Sequence, residues 1–270
     1  MKKLFKSAML VLVISLVAHL TYADSDASVD MQPGFGVSIG YWISPNVSGG
    51  VSRGLSGTLM NLNSDLGFGS QSIVTPEISY RFPHGQILSA NYNQIKQTVS
   101  KIAGSNLEYS GVVFPMGTSV SNALTWRWSD IAYEMPIWYD SFPPKDRFLN
   151  VVAQLKVVRG SFSMTNPAGV VAQHDPITEP FPMFGLHGEI YVAPQTSLHF
   201  RAVGIYASYQ QALGYDVEFQ GGITQEFYKG ISATADFRYD DFHNSIFHGG
   251  ETNVFSLRIY GPQVSINGKF

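Results

Sequence analysis

Residues 251–270 read ETNVFSLRIYGPQVSINGKF. In an extended strand successive side chains point to opposite sides. Phe255, Leu257 and Ile259 then share one side, and Ser256, Arg258 and Tyr260 the other. Past Gly261-Pro262 the apolar set moves to even numbers: Val264, Ile266 and Phe270 oppose Ser265, Asn267 and Lys269. Proline cannot donate to a ladder, so the change of phase predicts a bulge or kink at Gly261-Pro262. The stretch predicts a closing strand that ends on an aromatic residue.

The same alternation runs back through the chain. Ile231, Ala233, Ala235, Phe237 and Tyr239 oppose Thr234, Asp236, Arg238 and Asp240; Tyr215, Val217 and Phe219 oppose Asp216, Glu218 and Gln220. Leu198 to Tyr206, Phe184 to Val192 and Leu149 to Val157 read likewise. Longer or earlier strands are predicted over Val120–Tyr139, Gln86 to about Val99, Ser72–Phe82 and Gly34–Ser44. The total is ten. Eight would leave alternating segments unused; twelve would need Gly57–Asn63 and a split last strand; both stay open.

The connections alternate in length, apart from a short Gln210-Gln211-Ala212 link after the seventh strand. Pro83-His84-Gly85, Ser141–Asp146, Ala193–Thr196 and Tyr228–Gly230 are tight. Pro45–Gln71, Ser100–Thr118, Ser163–Pro180 and Asp241–Gly250 are predicted as long loops. An even strand number with short turns at one end and long loops at the other is the plan of a membrane β-barrel.

Charge is confined to one side of the strands. Glu77, Arg81, Lys156, Glu189, Arg201, Asp216, Glu218, Asp236, Arg238 and Arg258 all alternate with apolar residues. A charge facing lipid costs about 2–4 kcal/mol at mid-bilayer, so these side chains are predicted to point inward as a lumen charge network of both signs. Ten strands enclose a narrow lumen, which with such a network is partly plugged. Tyr41, Trp42, Phe82, Trp138, Tyr139, Phe142, Phe148, Phe227 and Tyr228 fall near strand ends and are predicted to form interfacial girdles.

Composition agrees and excludes several classes. Apolar residues make up 44% of the chain, yet mean hydropathy is only +0.02, as expected where every second residue is apolar. A net charge of −3 gives no basis for a nucleic-acid partner. With no cysteine, disulfides and thiolate chemistry are excluded. Lys2, Lys3 and Lys6 precede an apolar run from Ala8 to Leu20 and a Thr21-Tyr22-Ala23 cleavage site, so residues 1–23 are expected to be a signal peptide and 24–270 the barrel.

Together the signal peptide, the alternating strands, the asymmetry of turns and loops and the terminal Phe270 resemble the small single-chain bacterial outer-membrane β-barrel proteins. The resemblance implies an all-β, closed antiparallel transmembrane barrel that acts as a monomer in the outer membrane after Sec-type export. It also implies outer-membrane lipid and the outer-membrane assembly machinery as partners, with Phe270 as an assembly signal. It implies no ligand.

Some barrels of this kind are hydrolases, which need a base within reach of a nucleophile or water. His243, with Asp240, Asp241 and Ser245, is the candidate set, in a segment expected to be a polar loop at the outer rim. His187 and His199 are expected in a lumen hydrogen-bond network. His243, His248, Asp240 and Asp241 lack metal-specific spacing, and no cofactor or metal is expected. The function expected is surface interaction, envelope structure or limited, porin-like solute passage; the alternatives are a rim hydrolase for lipid or peptide, and a soluble periplasmic β-sandwich.

Overall fold

The computed structural model describes residues 33–54, 57–139, 147–173, 177–209, 212–248 and 251–270. The expected signal peptide, His174 and Phe142 lie outside them. In chain order the strands are β1 (Gly34–Trp42), β2 (Asn46–Ser52), β3 (Met60–Asn61), β4 (Ile73–Arg81), β5 (Ile87–Ile102), β6 (Leu107–Tyr109), β7 (Val112–Phe114) and β8 (Ser119–Tyr139). They continue as β9 (Arg147–Thr165), β10 (Val171–Gln173), β11 (Ile177–Ala193), β12 (Thr196–Tyr209), β13 (Ala212–Tyr228), β14 (Ile231–His248) and β15 (Glu251–Lys269).

Ten of these, β1, β4, β5, β8, β9, β11, β12, β13, β14 and β15, pair in that order, each antiparallel to the next. The ring closes where β1 pairs β15, from Gly36 opposite Lys269 to Trp42 opposite Gln263. Backbone bonds between Phe35 and Phe270, 2.8 and 3.0 Å long, seal the seam. A closed ring of ten is the predicted barrel, and it excludes the sandwich.

The predicted kink at Pro262 is absent. Pairing of β14 with β15 runs in register from Ile231 opposite Gly268 to His248 opposite Glu251. The break falls instead in the neighbouring strand. β1 stops at Trp42, Ser44 takes a positive φ of 40°, and the chain resumes as β2 beside the upper half of β15. Ile43 donates to the Pro262 carbonyl and the Trp42 indole to Gly261, bracing the break from β15.

The change of phase has another cause: the sides exchange polarity along the strand. On β15 the odd residues always face the lumen, polar near the chain end (Gln263, Ser265) and apolar higher up (Phe255, Leu257, Ile259). β8 does the same. Asp130 and Glu134 are buried inside its lower half, opposed outside by exposed Ile131, Tyr133 and Met135. In its upper half Leu124, Trp126 and Trp128 are inside, and Thr125, Arg127 and Ser129 outside. Twenty-one residues of tilted strand rise about 50 Å, twice the ~25 Å apolar band of such a barrel. The lower half has the polarity of a wall in lipid around a polar lumen. The upper half has that of a wall in water around an apolar core.

Several predicted loops are therefore largely wall. Asp241–His248 belongs to β14, and its connection to β15 is only residues 249–250. The other long connections hold small elements: β2–β3 after β1, the β6–β7 hairpin after β5, and β10 against β9. Of the expected girdle residues, Trp42 and Phe148 are buried inside. Tyr41, Trp138, Phe227 and Tyr228 are exposed on the outside.

Candidate functional site

Three layers fill the barrel. The lowest is a polar cavity of about 340 Å³ that reaches the short turns at Pro194, Gln195 and Gly230. Its walls include Glu77, Arg81, Glu189, Arg201, Asp236 and Arg238. Much of this polarity is paired. His187 Nδ1 lies 2.6 Å from Glu134, and His199 Nε2 lies 2.7 Å from Asp236, which also accepts from Gln220. Arg201 donates to Gln154 at 2.8 Å, and the Arg238 guanidinium lies 5.1 Å from the centre of the Trp42 ring.

The middle layer is built around Lys156. Its ammonium lies 2.9 Å from Asp216, 3.0 Å from Glu218 and 2.9 Å from Asp240, and all four side chains are almost fully buried. Gln154 ties Glu218 to Asp130 by donating to both, at 3.3 and 3.1 Å. β9 supplies Lys156 and Gln154, β13 Asp216 and Glu218, and β14 Asp240, so the cluster clamps opposite walls across a narrow lumen.

The upper layer is aromatic. Trp126 stacks on Phe255, with centroids 4.6 Å apart and planes 11° apart. Phe242 packs on Trp126 at 4.9 Å and on Phe181 at 5.2 Å. Gly160 on β9 lies against Trp126 so closely that a Cβ there would collide with the indole. Above, residues 57–72 tuck inward. A compact turn capped by the Asn61 side chain delivers Leu62, Leu66 and Phe68 to full burial, and Asn122 donates to the Leu66 carbonyl. Phe162 joins Phe68 to Tyr109 of the β6–β7 hairpin, at 6.2 and 5.0 Å. Burial pushes the Tyr109 phenol well above its usual range.

The residues expected in the lumen network face it, with one exception. Arg258 is on the outside, bonded to Asp241 at 2.7 Å, because β15 keeps its phase through Pro262. The hydrolase candidates are divided by the wall. Asp240 is inside on Lys156, while Asp241, His243 and Ser245 face outward. The His243 ring stacks on Tyr215, centroids 5.2 Å apart; Ser245 donates to the Leu213 carbonyl. Among the described residues His243 bonds to neither Asp241 nor Ser245. Nor does any group of three His, Asp or Glu side chains among them gather as a metal site. Sequence reasoning missed the aromatic layer, although the odd-to-even change at residues 259–264 signalled it.

No family model and no curated protein sequence matches the chain. Among solved structures, the outer membrane protease OmpT of Escherichia coli superposes with a TM-score of 0.56 at 8% identity, over 88% of this chain and 97% of that one. Neisserial surface protein A aligns over 87% and 97% at 15% identity, and the Pseudomonas putida toluene transporter TodX over 88% and 90% at 8%; both have a TM-score of only 0.30. The chain has the fold of the small bacterial outer-membrane β-barrels: closed, antiparallel and ten-stranded.

Proposed function

We propose that the chain is a sealed outer-membrane barrel. It is exported by its N-terminal signal peptide and acts as a monomer through its long-loop end, in surface interaction or envelope structure, rather than as a pore. The observation that carries this reading is the stack of Trp126, Phe255, Phe242 and Phe181 directly above the Lys156 cluster. An ion leaving the polar cavity would have to break a buried charge cluster and then cross an apolar layer that solvates no charge. Limited solute passage would need both layers to move aside.

A hydrolase reading draws support from the fold shared with the E. coli protease. Among the described candidate residues no base is paired with a nucleophile: His243 stacks on Tyr215 and Asp241 is engaged by Arg258. Purified protein in planar bilayers tests the main reading. The expected result is a silent membrane; steady single-channel steps from the wild-type protein would overturn it.

A further inference from the structure

Outside the wall, Arg127 on β8 and Arg159 on β9 stand directly opposite each other in the ladder. Both are exposed, and their strand neighbours Trp126, Trp128 and Val158 are buried inside. Like charges directly opposite across a ladder repel. Lys96, exposed on β5 beside Thr125, adds a third positive charge two residues further up the wall. Among the described residues none of these three side chains makes an ion pair or hydrogen bond. The outward side chains bordering them, Gln94, Thr125, Ser129 and Thr178, are neutral.

The patch has a defined height. Below the arginines the wall turns apolar, through Ile131 and Leu155. Tyr92 marks the edge, its hydroxyl donating to Gln94 at 3.0 Å. The headgroups of the leaflet at the long-loop end therefore lie level with the arginines. Opposed side chains across an antiparallel pair begin about 5 Å apart, so two guanidinium forks can converge on one phosphate group, which they match in geometry and charge.

We propose that Arg127, Arg159 and Lys96 form a binding site for the phosphate of an anionic lipid headgroup in that leaflet. The proposal rests on the membrane placement in the previous subsection. The bound phosphate turns a repulsive row into a clamp and fixes the depth of the wall.

The test uses full-length protein in phosphatidylcholine vesicles carrying a minor fraction of diphosphorylated lipid A, or the same lipid after enzymatic dephosphorylation. Native mass spectrometry reads the lipid retained. Wild-type protein is expected to keep the phosphorylated form about tenfold better. The R127Q/R159Q variant should lose that preference, and Lys229→Gln, at the short-turn end, should keep it. Retention unchanged in R127Q/R159Q, or no preference in the wild type, would overturn the proposal. So would displacement of the lipid by millimolar inorganic phosphate, which would make free phosphate the ligand. If the double variant does not fold, Arg159→Gln alone carries the same comparison. Cell fractionation separates the two readings: absence from the outer membrane would sink the placement, while retention by purified protein still judges the site.

Discussion

Tyr109 carries a fully buried hydroxyl with no partner among the described residues. An unsatisfied buried hydroxyl costs about 1–3 kcal/mol, so Tyr109→Phe is expected to stabilise the barrel by about 1 kcal/mol in urea titrations. The variant should also change the alkaline limb. The folded phenol holds its proton above the ordinary value of 10.0 while the unfolded one releases it. Wild-type stability therefore falls as pH rises above that value, and Tyr109→Phe should flatten the fall. Lys156 is the opposite case, a charge surrounded by partners. Lys156→Met leaves Asp216, Glu218 and Asp240 facing one another without their cation. Breaking such a buried cluster costs about 3–5 kcal/mol. The expected readout is a lower urea midpoint and loss of heat-modifiable gel migration at a lower temperature; an unchanged midpoint would show that the cluster holds nothing together. The sequence made Lys156 legible as a lumen residue, because a charge among Leu155 and Val157 cannot face lipid. Its partners, from strands some sixty to eighty residues later, depend on barrel register and were not legible.

At the scale of the element, β8, β9 and β15 each carry two alternations of opposite sense. One strand read alone shows which residues share a side, but not which medium each side meets. The lower halves were legible because lipid demands apolar residues outside and the charges have only the lumen left. The upper halves were read in the wrong frame. The sequence places Arg258 inside and reads Asp241–Gly250 as a loop, because polar residues facing water conceal a strand. The aromatic layer where the senses exchange should be intolerant of change. Trp126→Ala removes the stacked indole, at about 3–5 kcal/mol. Gly160→Ala drives a methyl group into the same ring, at about 1–3 kcal/mol. Both should lower the urea midpoint, and Gly160→Ala should also shift the near-ultraviolet tryptophan signal; a wild-type spectrum would contradict the packing described. At the seam, deleting Phe270 removes two backbone bonds to Phe35 and should reduce the level of folded protein in the membrane. Normal levels would argue against its role in assembly.

At the scale of the whole molecule, ring closure follows from parity. Ten strands with antiparallel neighbours bring β15 back beside β1, and this much the alternation and turn spacing foretold. Of the small elements at the long-loop end, the sequence marked only the Gly57–Asn63 segment, which holds β3; the others were not foretold. β2, β3 and the β6–β7 hairpin hold their places by packing on side chains from distant strands, which local pattern does not encode. The resulting molecule has an inverted design along its axis: apolar outside and polar inside below, polar outside and apolar inside above. The chain has no cysteine, so single cysteines can be read without background. Arg127, Ile131 and Met135 all lie exposed on the outside of β8. With barrels reconstituted in vesicles, a water-soluble maleimide should modify Arg127→Cys and leave Ile131→Cys and Met135→Cys untouched, while all three react once the lipid is replaced by denaturant. Modification of Ile131→Cys or Met135→Cys in intact vesicles would put water against the lower wall and contradict the membrane-spanning barrel.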